Sequence, residues 1–570
     1  MGRIFGESTK RNVKLLDGAW KMRVDAENAG LDERWFDAEL CDGELTFVPS
    51  VWATKKELFC YEGAVWFEKS FYFEGGCLFL SFGAVMTEAD VWLDGVYLGN
   101  HYGGFCQFDF TVNEVSAGTH RLTVRANNAF DAYSIPQTYV DWYHHGGIIR
   151  SVCAQALKGI SVLSNKFDYT LSADFSVADC RFTVELLNTS KSKDNTTLIL
   201  AIGDKKVYEG RVDIEGNEKK TVVIDGVKLE NIKLWDIGKG NLYSISATTD
   251  TDELFDRVGF RHIEVKDKAI YLNGKKIEIM GVNRHEEHPE LGFAFPQSLM
   301  TRDLDLIEEL GCNFIRGAHY PNSRDFLDML DERGIMFWSE IPIWGCGFSE
   351  QTLADEKVVE RGLDMHREML KYYYNHPSIV MWGMHNEILS NTRAGYEMSR
   401  IYYNYLKENG GNRLVVYASR FPTADICFEF TDAICINQYY GWYVGEMTLW
   451  ANEIKKLTDR QKELGFEDKP IIMSEFGAAA LYGCHDEENF LWTEEYQAKL
   501  ISHCLELFHE HPAIVGSIIW HFADARTSKE PGISRARRFN NKGLLNEYRK
   551  PKLSYFATQK CYKRFKEENK

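Results

Sequence analysis

Two glutamates in this chain stand at the ends of short apolar runs. Glu387 closes Ile-Val-Met-Trp-Gly-Met-His-Asn-Glu (379–387), and Glu475 follows Pro-Ile-Ile-Met-Ser (470–474). Among 84 acidic residues one carboxylate so placed carries little weight. A pair carries more, because other apolar runs also end in polar or aromatic residues: Arg284-His285-Glu286, Asn437-Gln438-Tyr439-Tyr440 and Trp520-His521. The reaction that needs a carboxyl pair is glycosidic bond cleavage, in which one carboxyl protonates the leaving oxygen and the other attacks or stabilises the anomeric carbon. Two carboxylates held close push one pKa upward, which supplies the acid. Structural ion pairing is the competing account. Asn386, one residue before Glu387, could hydrogen-bond a sugar 2-hydroxyl or simply cap a loop.

These strand ends meet only if the chain closes on itself. Eight short apolar runs, at 277–283, 312–318, 335–340, 379–387, 413–419, 433–439, 470–477 and 514–522, alternate with amphipathic helical stretches. Leu304, Ile307 and Leu310 share one helix face, while Ser323 caps the next helix and Gly334 stops it. This alternation predicts a (β/α)8 TIM barrel over 264–570, with its active site at the C-terminal ends of the strands. A doubly wound sheet is the main competitor, but no Gly-x-Gly-x-x-Gly follows the first strand. Residues 1–160 read instead as short aromatic and β-branched strands, including a tight hairpin at Asp94-Gly95, and predict a jelly-roll-like β-sandwich. Residues 161–263 repeat strands about every ten residues, as an immunoglobulin-like β-sandwich does.

Length and composition agree with this division. A chain of 570 residues suggests three or four domains. Lys+Arg 66 against Asp+Glu 84 gives −18, the wrong sign for a nucleic-acid partner. No apolar stretch approaches a membrane span, and the first residues lack a signal-peptide core, so a cytoplasmic protein without a membrane partner is expected. Thirteen scattered cysteines predict reduced core thiols. His144, His145, His285 and His288 lack metal-ligand spacing, so no metal and no cofactor are expected. Phe 35, Tyr 28 and Trp 14 serve sandwich cores, or stack on the apolar faces of sugars.

Asn-His-Pro-Ser-Ile-Val-Met-Trp-Gly-Met-His-Asn-Glu (375–387) resembles the acid/base signature of glycoside hydrolase family 2, and Ile-Met-Ser-Glu-Phe-Gly (472–477) resembles its nucleophile segment. Gly-Val-Asn-Arg-His-Glu (281–286) and Arg-Gly-Ala-His-Tyr-Pro (316–321) are further matches, and the likeness spans nearly the whole chain. It implies a retaining hydrolase with Glu387 as general acid/base and Glu475 as nucleophile. Asn-Gln-Tyr-Tyr-Gly-Trp-Tyr (437–443) is similar to the tyrosine segment of the β-glucuronidase group, which implies that Asn437, Tyr439 and Tyr443 line the sugar pocket. The same group implies Trp520, His285 and Asp141 as pocket residues, with His521 where many members carry Asn.

The most discriminating stretch is Ser534 to Gly543. Arg535, Arg537, Arg538 and Lys542 reverse the charge of an acidic chain locally, which suits an anionic ligand. Asn540 and Lys542 match the Asn-x-Lys pair that implies a grip on a C6 carboxylate. The loop departs from the group in lacking glycine and in offering three arginines; direct counting puts Ala536 at the expected place, whereas a one-residue insertion puts Arg535 there. The expected activity is therefore an exo-β-glucuronidase acting on a uronic-acid glycoside. A β-galacturonidase, a β-galactosidase and a silent carbohydrate-binding protein are the alternatives. Only 38 residues (341–378) separate the third and fourth strands, so a long lid is not expected. The resemblance also implies a homo-oligomer, dimer or tetramer.

Overall fold

The computed structural model describes residues 7–528 and 535–569. Its first module packs a six-stranded antiparallel sheet against a four-stranded one. Alternating residues Trp20, Phe67, Val91, Leu122 and Val124 fill the space between the sheets. The hairpin joining Glu88–Leu93 to Val96–Tyr102 turns at Asp94 and Gly95, with φ of 52° and 84°. Positive φ at both central residues matches the right-handed twist of the strands. A second sandwich follows, a three-stranded sheet centred on Val177–Asn188 against a four-stranded one. Phe182, Leu198, Leu200 and Ile245 form its core.

The third module is a closed barrel of eight parallel strands. In order they are Ile279–Arg284, Phe314–Gly317, Met336–Glu340, Ile379–Asn386, Leu414–Ser419, Ile434–Asn437, Ile471–Glu475 and Ile514–Ile519. All eight expected runs are strands, and the eighth pairs with the first. A small sheet, Ile263–Lys266, Ala269–Leu272 and Lys275–Ile277, plugs the N-terminal mouth. Its Ile263, Ile270 and Leu272 pack on Ile279, Met336, Val380, Leu414, Ile472 and Val515, the early residues of six strands. With that end sealed by apolar side chains, the polar strand ends face the opposite mouth.

One unit departs from the expected alternation. Strands five and six are joined by a single 3-10 turn, Phe428–Phe430, rather than an α-helix. The buried Asp425 carboxylate explains it, accepting from Ser390 Oγ at 2.6 Å, Tyr417 Oη at 3.0 Å and the Cys427 amide at 2.7 Å. The short connection folds around this carboxylate, and Pro422 disfavours a helix there. Among the described residues no helix is long and apolar enough to cross a membrane.

Arg261 ties the second sandwich to the barrel. It is 1% exposed and donates Nε to Pro377 O at 2.9 Å and Nη2 to Ile379 O at 2.6 Å, beside a further bond to Asn412 O. Removing the guanidinium leaves buried carbonyls unpaired, so Arg261→Leu is expected to cost about 3 kcal/mol. A fall in Tm checks this, and an unchanged Tm would show that the junction tolerates the loss.

Candidate active site

Five strand ends converge on one buried guanidinium. Arg316, in strand two, donates Nε and Nη2 to the two oxygens of Glu340 at 3.0 and 2.9 Å. Its Nη1 donates to Glu475 Oε1 at 2.8 Å, and Nη2 also donates to Asn386 Oδ1 at 2.8 Å. The guanidinium carbon lies 4.5 Å from the Trp338 ring centroid. Glu475 ends strand seven, is 4% exposed, and accepts on Oε2 from the Tyr439 phenol at 2.7 Å.

Glu387 directly follows strand four and is half-buried. Its φ of 52° lies in the left-handed region, a conformation that a non-glycine residue keeps only when its surroundings fix it. Here the Glu387 amide donates to Ala418 O at 2.8 Å. Gly345 lies so close that an added Cβ would meet Glu387 O at 2.0 Å. Asn437 Nδ2 bridges the two parts of the site, donating to Glu387 Oε1 at 2.8 Å and Asn386 Oδ1 at 3.0 Å. Asn437 Oδ1 accepts from Ser474 Oγ at 2.7 Å, so both ends of this amide are already engaged and it acts as a brace. Arginine can only donate, so Asn386 must turn its oxygen toward Arg316. Its buried Nδ2 has no partner among the described residues.

The upward pKa push falls on the more buried of the two carboxyls. Burial pushes Glu475 up to about 8; Arg316 opposes the shift and the Glu387 charge adds to it. The raised value thus belongs to the carboxyl expected to attack. Burial also pushes His285 down to about 3, with His319 adding to the effect, and pushes His319 well below the usual histidine range. Both imidazoles are neutral at pH 7. His319 Nδ1 lies 2.7 Å from Glu340 Oε1, and its ring stacks on Trp520 at 4.9 Å. Trp520 meets His285 edge-on at 5.4 Å.

A second polar cluster adjoins the first. Arg535 grips Asp141 through both oxygens, with Nε to Oδ1 at 2.8 Å. Asn540 Nδ2 donates to Asp141 Oδ2 at 2.8 Å, and Lys542 Nζ donates to Asn540 Oδ1 at 3.2 Å. Lys542 is 1% exposed, with its Nζ 4.8 Å from the Tyr443 ring centroid and 5.5 Å from that of Tyr439. Burial pushes this ammonium well below its usual pKa, and Arg535 adds to the push. Arg537 turns away to Glu547 at 2.9 Å, and Arg538 lies 3.8 Å from Cys60 Sγ. Of the three arginines, Arg535 reaches the site. Tyr443 stands at the rim, 51% exposed, and meets Tyr439 edge-on at 5.2 Å.

All twelve residues singled out from sequence thus lie in one connected region. The central Arg316 and its partners Glu340 and His319 were not among them. A usable signal existed, since Arg316 and Glu340 each end an apolar run, but strand-end charges are too common to rank by pattern alone.

A closed barrel with two carboxyls at the ends of strands four and seven, preceded by two β-sandwiches, is an arrangement suited to glycoside hydrolysis. The chain belongs to glycosyl hydrolases family 2: residues 263–567 match its TIM barrel domain, 13–157 its sugar binding domain, and 162–261 the remaining family 2 domain. A Beta-glucuronidase of Paenibacillus borealis is 25% identical, with 96% of each chain covered. A GH2 beta-galacturonidase from Eisenbergiella tayi, bound to galacturonate, is 30% identical with a TM-score of 0.91 over 99% of each chain. A Beta-glucuronidase of an uncultured Clostridium sp. is 26% identical with a TM-score of 0.88, covering 99% of this chain and 100% of that one.

The raised Glu475 pKa has a thermodynamic consequence. An unfolded glutamate ionises near 4.5, whereas this one ionises near 8 when folded, so between those values the unfolded state binds fewer protons. This group's contribution to stability is present below the lower value and lost as pH rises through the upper one. Glu475→Gln removes that titration. The Tm of the variant minus that of the parent should therefore rise from pH 5 to pH 8, and a difference independent of pH would contradict the buried, proton-retaining carboxyl.

Proposed function

We propose that this chain is a retaining exo-β-glucuronidase that hydrolyses β-D-glucuronides without a cofactor. The observation that carries the reading is Lys542, a buried ammonium whose one hydrogen-bond acceptor among the described residues is a neutral amide oxygen. Burial holds this amine's pKa down although Asp141, Glu475 and Glu387 pull it up, so an anion brought into contact favours its charged form. The C6 carboxylate of a uronic acid is an anion of the right size, and Asn540 and Arg535 stand beside it. The curated relatives named as glucuronidases support the same sugar.

In the proposed cycle the two carboxyls share one proton: with it on Glu387, the Glu475 carboxylate, held by Arg316 and Tyr439, attacks the anomeric carbon while Glu387 delivers that proton to the glycosidic oxygen. The bond to the aglycone breaks and an ester to Glu475 forms. Glu387, now ionised, takes a proton from water, whose oxygen attacks the same carbon; the ester breaks, and the uronic acid leaves with retained configuration. Arg316 and Tyr439 orient Glu475. Asn386 Nδ2, left free by the orientation of its oxygen, donates to the sugar 2-hydroxyl. His285, Trp520, Asp141 and Tyr443 shape the pocket, and Asn437 holds Glu387 in place. By its resemblance to the family the chain works as a homo-oligomer, dimer or tetramer.

A second reading, β-galacturonidase, is favoured by the Eisenbergiella relative bound to galacturonate and by the departure of the arginine loop from the glucuronidase pattern. Aryl β-D-glucuronide, β-D-galacturonide and β-D-galactoside with one common leaving group separate the readings. We expect kcat/KM for the glucuronide to exceed that for the galactoside by about 10³-fold or more, as in sites built around a buried polar group. Lys542→Met should narrow that gap by about 100-fold. Preference for the galactoside would overturn the uronate reading, and preference for the galacturonide would select the second one. Glu475→Gln should abolish turnover with the fold intact.

A further inference from the structure

The three modules leave a cleft of about 830 Å³ between them, and none of the residues lining it belongs to the catalytic site. One wall is the outer face of the four-stranded sheet of the first sandwich. Strand Gly76–Phe82 turns Leu78, Leu80 and Phe82 into the sandwich core, so Phe79 and Ser81 face the other way and line the cleft. The facing wall comes from strands Ile160–Leu171 and Val177–Asn188 of the second sandwich. Arg324 and Tyr372, from two helices of the barrel, close the third side. Several polar atoms of this lining are buried without a partner. Asn165 is 5% exposed, yet neither its Oδ1 nor its Nδ2 has a partner among the described residues. Buried Ser81 Oγ and Gln107 Oε1 are in the same condition. Gln107 and Arg324 also line a smaller hollow of about 260 Å³, where Asp325 Oδ1 is buried and again without a partner among the described residues. Such atoms are rare in folded proteins, and a group of them around one cleft calls for something to bond them.

We propose that this cleft is a second, non-catalytic carbohydrate site, and that it takes a neutral oligosaccharide. The proposal does not rest on which sugar the catalytic mouth accepts. Eleven of the lining side chains are Ser, Thr, Asn or Gln, groups that both donate and accept, as sugar hydroxyls do. Half-buried rings of Phe110, Phe255 and Tyr372 stand among them. Water can bond the amides, but it gains nothing from aromatic faces, whereas a pyranose presents hydroxyls and apolar CH groups together. The volume falls in the range of roughly 300–1,000 Å³ that encloses small ligands. Charge decides between a neutral and an acidic chain. Arg11 pairs with Asp252 at 2.7 Å, Lys166 with Asp168 at 3.6 Å and Lys371 with Asp109 at 3.9 Å. The remaining cations of the lining, Lys219 and Arg324, are matched by Glu185 and Asp256. A polyanion therefore meets no surplus of positive charge there, unlike at the 535–542 loop.

The test is calorimetric titration of the full chain with xylopentaose, cellopentaose, mannopentaose and pentagalacturonate. At least one neutral pentasaccharide should bind with a Kd below about 1 mM, and more tightly than the pentagalacturonate. Ser81→Ala/Asn165→Ala should weaken that binding about tenfold or more. Without sugar the double variant should melt at or above the parent's Tm, because the groups it removes have no protein partner to lose. Thr183→Trp, at a partly exposed position on the facing wall, should close the cleft and abolish binding, and it decides the matter if the double variant does not fold. Failure of all three neutral sugars to bind, tighter binding of the pentagalacturonate, full binding in the variants, or a lowered Tm in a folded double variant would each overturn the proposal.

Discussion

Arg316 carries a full charge into the centre of the barrel, and much of the site is a response to it. A buried ion is tolerable only when paired and fully hydrogen-bonded. Here its donors are taken by Glu340, Glu475, Asn386 and, at 3.2 Å, Asn283 Oδ1, drawn from strands one, three, four and seven. A single planar fork thereby fixes the relative positions of side chains more than 150 residues apart. Two carboxylates around one guanidinium leave an excess negative charge in a low-dielectric space, and burial accordingly raises the pKa values of both Glu340 and Glu475. In the proposed cycle Glu475 loses its charge on becoming an ester and regains it on hydrolysis. Glu340 keeps Arg316 balanced at the stage when Glu475 is neutral, so the framework need not rearrange between half-reactions.

The rest of the architecture isolates this cluster from water and completes it. The small sheet at 263–277 seals one mouth of the barrel with aliphatic side chains. At the other mouth the first sandwich sends in a segment whose Tyr143 amide donates to Arg526 O at 2.8 Å. Trp142 in the same segment lies 5.7 Å from the His319 ring. That insertion delivers Asp141 to Arg535. A carboxylate from the first sandwich and an arginine from the last connection of the barrel thus form one bidentate pair, a geometry that specifies register as well as strength. The Asp141–Arg535–Asn540 half of the site exists only when the two modules are docked.

The parts of this arrangement legible in the sequence were those set by local periodicity and short-range chemistry. All eight barrel strands, the hairpin at Asp94-Gly95, and the Ser323 and Gly334 helix ends follow from patterns a few residues long. The missing helix between strands five and six was not legible, because it depends on Asp425 finding Ser390 and Tyr417 across the fold. Among the site residues, position at a strand end brought out Glu387 and Glu475. Whether Asn437 would face a sugar or brace a carboxylate depends on the rotation of one amide, which no spacing encodes. Arg316 escaped notice for the same reason: its importance lies in its partners. The choice among Arg535, Arg537 and Arg538 was open in the sequence and is decided by Glu547, which draws Arg537 away from the mouth.

The net charge of −18 places an apparent obstacle before an anionic substrate. At physiological salt, however, exposed charges are screened beyond about 8 Å, so the acidic surface acts weakly on an approaching ligand. Lys542 lies where screening does not operate. Inside the protein its interaction with a carboxylate at contact is several times stronger than the same pair would have in water. Selection for the acid group therefore happens at contact and in the dark of the pocket, independent of the surface. The same burial acts against neutral sugars, which would seal the site while leaving an ammonium unpaired, a cost of the kind that gives polar sites their largest discrimination. Specificity for a uronate is in this view a consequence of leaving the buried Lys542 amine with a neutral amide oxygen as its hydrogen-bond acceptor.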